Sequence, residues 1–344
     1  MLKMKYIERI SLFMMLVVSF LVTLGSMKVY ADSSESAYSV SANIPSFQSN
    51  QKLSYFDLQL KPKQKETISI HLTNNSQENA VYLVNVNNAA TNSNGVIDYN
   101  QTDFKQDPSA NYVLKQMVTP VAQEVSLAAG ESKDVSFQIT MPDQAFKGIV
   151  LGGIHVTKKD TISKKVAGTA IRNKYAYVIG VKLRNTEDQI VPDLKLRSAK
   201  AGLQNSYTTI FANLQNPTPT IISKVSIDAK ITRKGSKKVL YETKKESLAI
   251  APNTNFDFPV SLNKRKIAAG EYTVTIDAKE GQTNHSWHLT KDFTIKADKA
   301  KKINNEAVIE DQGIPYLPII IGVGILLVLV ILILSYKLLK KKSR

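Results

Sequence analysis

The sequence predicts an all-β protein: two β-sandwiches in tandem, set between an N-terminal signal peptide and a C-terminal transmembrane helix. Three observations carry this. Apolar and polar residues alternate in short runs broken by Asn, Gly, Pro and Asp, the pattern of half-buried strands. No amphipathic helical period of useful length interrupts them. One apolar run stands at each end of the chain, with a cysteine-free polar stretch between.

The first 31 residues read as a signal peptide. A basic start (Lys3, Lys5, Arg9) precedes the apolar run from Ile10 to Val22, and small residues lead to Val29-Tyr30-Ala31 before Asp32.

Residues 32–160 form the first predicted sandwich. Leu58-Gln-Leu-Lys meets a turn at Pro62. Thr67 to Thr73 puts Ile68, Ile70 and Leu72 on one face, and Val81 to Val86 is more continuously apolar. Val125–Leu127 and Val135–Ile139 form a hairpin-like pair around Ala129-Gly130-Glu131. The segment from Leu58 to Ile70 resembles that from Val125 to Phe137: each is a strand, a polar turn and a strand. Such units recur on immunoglobulin-like sandwiches. Leu248-Ala-Ile-Ala-Pro to Val260 is a third copy, which implies a second sandwich over residues 167–300.

Lys158 to Lys165 is the most charged stretch and reads as a linker or long loop. The alternation from Tyr175 to Leu183 has only Lys182 strongly polar in its second set. It reads as a strand buried on both faces, belonging to either sandwich. Further strands are expected over 208–214, 221–231, 239–243, 270–277 and 285–295, with a turn at Asn216-Pro-Thr-Pro219. Residues 301–314 read as a polar stalk.

The apolar run over 315–336 contains 21 uncharged residues from Tyr316 to Tyr336. At ~1.5 Å per residue this spans about 31 Å, close to the ~30 Å hydrocarbon core. The basic tail at 337–344 (Lys337, Lys340, Lys341, Lys342, Arg344) belongs in the cytoplasm, which places the rest of the mature chain outside the cell membrane. No Leu-Pro-x-Thr-Gly sorting signal precedes the span.

The signal region carries +3 and the tail +5 of the formal +16, leaving the exported part at +8. That charge suits an anionic envelope as well as simple solubility. Export and the lack of a recognition motif argue against nucleic acid. With no cysteine, the exported domains must rely on their own cores.

No catalytic constellation is present, so the sequence reads as a non-enzyme without a cofactor. The four histidines, His71, His155, His285 and His288, form no His-Glu-x-x-His motif. His285 and His288 flank Trp287 at a spacing that could reach a metal, but solvent-facing strand histidines are the simpler reading. Gly148-Ile-Val-Leu-Gly-Gly-Ile154 lies in a strand-like run, where glycine serves close packing or a bulge.

In order along the chain, Tyr38-Ser-Val-Ser-Ala-Asn-Ile-Pro45, Tyr55-Phe-Asp-Leu58, Asn74-Asn75, Gly95-Val-Ile-Asp-Tyr99 and Pro142 to Ile154 resemble the peptidoglycan-binding domain of the WxL-interacting protein family of Gram-positive bacteria. Tyr175 to Val181, Asn213-Leu-Gln-Asn-Pro217, Leu248 to Pro252, Ala269-Gly-Glu-Tyr272 and Trp287 to Ile295 resemble its host-binding domain. The resemblance implies a non-enzymatic adhesion protein. Its partners would be peptidoglycan, WxL-domain surface proteins and host extracellular-matrix ligands. It assigns no binding residues. Trp287-His-Leu289 spells W-x-L, but the WxL domain proper belongs to the partner. The pattern of strands also fits an exported β-sandwich chaperone that offers an edge strand to surface proteins.

Overall fold

The computed structural model describes residues 37–101, 105–159, 175–309 and 325–326. The predicted signal peptide, the basic tail, most of the predicted span and most of the predicted linker lie outside the described residues. Among the described residues no helix is long and apolar enough to cross a membrane.

In chain order the first sandwich contains β1 (Tyr38–Asn43), β2 (Phe56–Gln59), β3 (Lys65–Asn74), β4 (Ala80–Asn88), a small hairpin of β5 (Ala90–Thr91) and β6 (Ile97–Asp98), and a single helical turn α1 (Leu114–Met117). It continues with β7 (Val118–Thr119), β8 (Ala122–Leu127), β9 (Ser132–Thr140), β10 (Val150–Lys158) and β11 (Ala176–Arg184). One sheet has the order β1-β3-β9-β7 and the facing sheet β2-β11-β10-β4-β8. Alternation builds the core directly: Ile68, Ile70 and Leu72 of β3 and Val135, Phe137 and Ile139 of β9 face Tyr82, Val84 and Val86 of β4. Each such side chain contributes roughly 1.5–3 kcal/mol on burial.

Strand β11 belongs to this first sandwich. It pairs antiparallel with β10 and parallel with β2, and buries Ile179, Val181 and Leu183 in the first core. Of the two placements that the alternation leaves open for this strand, sheet pairing selects the first sandwich. Nor is β11 buried on both faces: Val178 and Gly180 are apolar on the outer face because they line an open trough, described below.

The second sandwich comprises β12 (Lys195–Gln204), β13 (Tyr207–Asn216), β14 (Ile222–Arg233), β15 (Val239–Ile250), β16 (Thr254–Ser261), β17 (Gly270–Glu280) and β18 (Ser286–Ile295). The sheets β12-β13-β16 and β15-β14-β17-β18 enclose a core that includes Ile210, Leu214, Ile227, Phe258 and Ile276. The stalk expected over 301–314 is helical through Glu306. Helix α2 (Ala297–Glu306) buries Ala300 and Ile303, one helical turn apart, on the second core. Asn304 pins the helix through both its amide atoms: Nδ2 donates to the Ile267 carbonyl and Oδ1 accepts from the Ile267 N–H, each at 2.9 Å.

The three strand–turn–strand copies are real, but they are arches between sheets and not hairpins. β2 and β3, β8 and β9, and β15 and β16 each lie in opposite sheets. Each arch follows a buried aliphatic residue (Leu60, Leu127, Ile250) and, three positions on, places a residue at positive φ: Lys63 at 62°, Gly130 at 72°, Asn253 at 49°. In the first two arches a side chain closes the turn. Lys61 N–H donates to Gln64 Oε1 (2.7 Å) and Ala128 N–H to Glu131 Oε2 (2.6 Å). The third arch has Thr254 at that position, too short to do the same. Ala251 N–H instead donates to Thr91 Oγ1 of the first sandwich, at 2.9 Å.

Each sandwich also ties one arch down with a fully buried asparagine. Asn74 Nδ2 donates to the carbonyls of Glu78 and Ala128 (both 2.8 Å), and its Oδ1 accepts from Ser76 Oγ at 2.7 Å. Asn216 Nδ2 donates to the carbonyls of Thr220 (2.7 Å) and Ala251 (3.0 Å), and its Oδ1 accepts from Thr218 Oγ1 at 2.6 Å. The two sandwiches thus repeat one design.

They are also bolted together. The first sandwich sends the β5–β6 hairpin and the loop around Asp107 onto β13 and β16. Asp107 is only 2% exposed. It accepts from Gln215 Nε2 (2.7 Å), Asn255 Nδ2 (2.6 Å), and Ser109 N–H and Oγ (2.9 and 2.7 Å). Burial pushes its pKa up, but those hydrogen bonds outweigh it and hold the carboxyl below the usual range. Ile149 N–H donates to the Pro219 carbonyl and Ala249 N–H to the Gly95 carbonyl, both at 2.8 Å. Gly148, at φ 77°, lets the chains approach this closely: a Cβ there would lie 2.3 Å from the Pro219 carbonyl oxygen.

Candidate functional site

The outer face of the five-stranded sheet carries a trough of about 410 Å³, lined by Tyr55, Tyr99, Leu151, Val178, Lys182 and Ile221 among others. Its base follows from register. Gly153 of β10 and Gly180 of β11 are direct cross-strand partners, so two adjacent strands lack side chains at one point. The two glycines do different work. A Cβ on Gly153 would stand 2.9 Å from Val178 Cγ1 and 3.2 Å from the Tyr99 ring, so glycine there lets Tyr99 lie on the sheet. A Cβ on Gly180 would meet nothing closer than Tyr55 Cβ at 3.6 Å. Glycine at 180 is not needed for packing; it keeps the trough open.

The walls come from the segments flanking the sheet. Tyr55 precedes β2, whose Phe56 and Leu58 point into the core, and alternation turns Tyr55 outward, where it is 38% exposed. Tyr99 follows β6 and is held by Asn87 Nδ2, which donates to its carbonyl at 2.8 Å. Burial and the nearby Tyr55 push the Tyr99 pKa upward, so its hydroxyl stays protonated at neutral pH. Among the described residues neither tyrosine hydroxyl has a hydrogen-bond partner. Beside Gly153 in the register, Asn87 keeps a buried Oδ1 that likewise has none. Such an atom costs about 1–3 kcal/mol unless a water or ligand satisfies it.

One end of the trough is charged. Lys182 Nζ lies 3.1 Å from Asp57 Oδ2, and Arg184 pairs with the other Asp57 oxygen. On the same face of β10 is His155, whose burial lowers its pKa against the opposing pull of Asp98, leaving it neutral at pH 7. Ile221, from the second sandwich, also lines the trough.

The remaining histidines lie apart. His71 Nδ1 sits 2.7 Å from Asp134 on the exposed face of β3, and His288 Nδ1 sits 2.6 Å from Asp277 on β18. His285 packs its ring against Trp287 at 5.2 Å between centroids, and Trp287 packs partly buried on the second core. Among the described residues no group of three or more His, Cys, Asp or Glu side chains could hold a metal.

A second concavity, of about 570 Å³, covers the outer face of the four-stranded sheet. Its register sets Lys244, Asp228, Asp277 and His288 in one row across four strands. Lys230 Nζ lies 2.9 Å from Asp228, and Lys244 at 3.5 Å. The charges of this row are spent on one another. The trough on the first sandwich, with open aromatic walls and unused hydroxyls, is the better candidate.

The sequence signal for this site was scattered. Tyr55, Tyr99 and the Gly152-Gly153 pair each fell within segments singled out above, but only the β10–β11 register brings them together.

The described residues thus form two bolted β-sandwiches, the first bearing an open aromatic trough. Residues 38–158 match the WxL Interacting Protein peptidoglycan binding domain, and residues 166–305 match the WxL Interacting Protein host binding domain. The chain belongs to the WxL Interacting Protein family. The host-binding match begins before β11, although β11 pairs within the first sandwich. No curated protein matches the chain. Among solved structures, it is similar to the class 5 fimbriae chaperone CfaA (16% identity, covering 75% of this chain and 100% of that one, TM-score 0.27). It is also similar to the E. coli chaperone DraB (14%, 75% and 97%, TM-score 0.26) and to a PapD-like domain of human CEP192 (11%, 44% and 87%, TM-score 0.26). At these scores the likenesses carry no argument about this chain.

Proposed function

We propose that this is a non-enzymatic cell-surface adhesion protein, membrane-anchored through residues 315–336 with its C-terminus in the cytoplasm. The first sandwich engages peptidoglycan. The second engages host matrix ligands, and the chain partners WxL-domain surface proteins. The observation that carries the wall-binding reading is the open trough on the first sandwich, whose strands β1 to β10 match the peptidoglycan binding domain. The uncharged run from Tyr316 to Tyr336 and its basic tail support the anchor.

Cosedimentation with purified peptidoglycan tests the reading. Residues 32–312 should pellet with the sacculi, and failure to do so at physiological salt would sink the wall-binding half. A fluorescent tag at the C-terminus should stay protected from added protease in intact cells, while the sandwiches are digested. Accessibility of that tag would overturn the orientation.

A further inference from the structure

We infer that the trough between Tyr55 and Tyr99 binds the sugar rings of a glycan strand, not the stem peptides. This rests on the peptidoglycan reading above and names the part of the polymer that is read.

The argument is one of shape and chemistry. A pyranose ring presents two flat C–H faces and a rim of hydroxyls. It needs flat apolar walls and a few unspent hydrogen-bonding groups at their edges. The trough supplies both. Its walls are two tyrosines, its floor is bare backbone at Gly180, and Leu151 and Val178 extend the apolar surface. The Tyr55 and Tyr99 hydroxyls have no partner among the described residues.

A peptide would need something else. Extended peptides are captured by the unpaired N–H and C=O groups of a sheet edge, and their carboxylates by free cations. Here the floor is made by β10 and β11, both interior strands whose backbone groups are spent on the ladder with their neighbours. The cation at the rim, Lys182, is already engaged by Asp57 at 3.1 Å. The trough can offer a sugar its walls, but it cannot offer a peptide an edge.

The structure also supplies a clean perturbation. Gly180→Val places a β-branched side chain on a strand that favours it, with no neighbour closer than 3.6 Å at Cβ. It fills the trough and spares the core. Residues 32–312, which contain both cores and the bolt between them, are tested against intact sacculi and against glycan strands stripped of their stem peptides by an amidase. Wild type should bind both. Gly180→Val, with an unmoved Tm, should weaken both by about tenfold or more, and so should Tyr55→Ala, which changes a surface ring only. Free stem peptide should not compete.

Wild-type affinity in both variants would show that the trough is not the site. Binding to intact sacculi without binding to stripped strands, with competition by free stem peptide, would show that peptide is read instead. Absence of any binding by wild type would remove the peptidoglycan reading itself, a result distinct from the other two.

Discussion

A fragment cut at the end of the peptidoglycan-domain match should not fold. Residues 37–158 include ten of the first sandwich's strands but omit β11. That strand contributes Ile179, Val181 and Leu183 to the core, and it is the partner of β2, whose Phe56 and Leu58 are wholly buried. At roughly 1.5–3 kcal/mol for each aliphatic side chain, its loss costs about 5–9 kcal/mol. A domain of this size holds about 5–15 kcal/mol in total. Polar anchors go too: Tyr38 Oη donates to the Tyr175 carbonyl (2.7 Å), and Leu60 N–H to the Arg184 carbonyl (2.9 Å). The comparison is between residues 37–158 and 37–188, both without the second sandwich, so interface losses cancel. The longer fragment should give a dispersed amide NMR spectrum and a cooperative melt; the shorter should give neither. Matching spectra, with Tm values within a few degrees, would refute the assignment of β11 to this fold. The outcome also governs wall-binding assays, since Val178, Gly180 and Lys182 of the trough lie beyond the shorter fragment.

Three further outcomes follow from the packing. Asp107→Ala should leave the buried amide of Gln215 without an acceptor, at about 1–3 kcal/mol, and the half-buried amide of Asn255 at less; calorimetry should then resolve two transitions where wild type should give one. Because hydrogen bonding lowers the Asp107 pKa in the folded protein, its contribution is complete above the ordinary carboxylate value of about 4 and is lost as pH falls through the folded value. The single transition should therefore persist at pH 5 and begin to split only in stronger acid. Gly148→Ala meets both a positive φ and the Pro219 carbonyl, and should lower stability by about 1–3 kcal/mol in urea melts. Asn216→Ala and Asn74→Ala remove equivalent clamps, so each should cost about 3 kcal/mol or more and should lower the melt of its own sandwich first.

Much of the fold was legible because alternation is local. The core faces of β3, β4, β9, β13 and β17 can be read directly from their apolar spacing. Strand β12 could not, since its inward positions include Ala199 and Ala201, and a register shift between Leu196 and Ser198 breaks the period. The arches were visible as repeats, but the sequence does not say that their two strands part into different sheets. That depends on the turn at Lys63, Gly130 or Asn253, and only one of the three is a glycine. The polar look of 301–306 concealed a docked helix, because Ala300 and Ile303 are too small an apolar signal among lysines. The trough was the least legible part. It is defined by the pairing of Gly153 with Gly180, some 27 positions apart, and register across a long connection leaves no mark on either segment alone.

The bolt between the sandwiches bears on how both would work. If they were beads on a flexible string, ligands on one would be indifferent to the other. The structure has instead assigned the needs of one unit to the other. The third arch lacks its own closing side chain and takes Thr91 from the first sandwich, while Asp107 of the first sandwich is satisfied by Gln215 and Asn255 of the second. Ile221, next to the β13–β14 turn that Gly148 and Ile149 hold, also lines the trough. Any rotation of the second sandwich that breaks these contacts must move part of the trough's lining. Load applied to the second sandwich would therefore reach the first as a torque on its binding face, and a variant that frees the units, such as Asp107→Ala, should weaken wall binding without touching Tyr55 or Tyr99. Unchanged affinity in that variant, once calorimetry shows the units uncoupled, would mean that Ile221 borders the trough without shaping it.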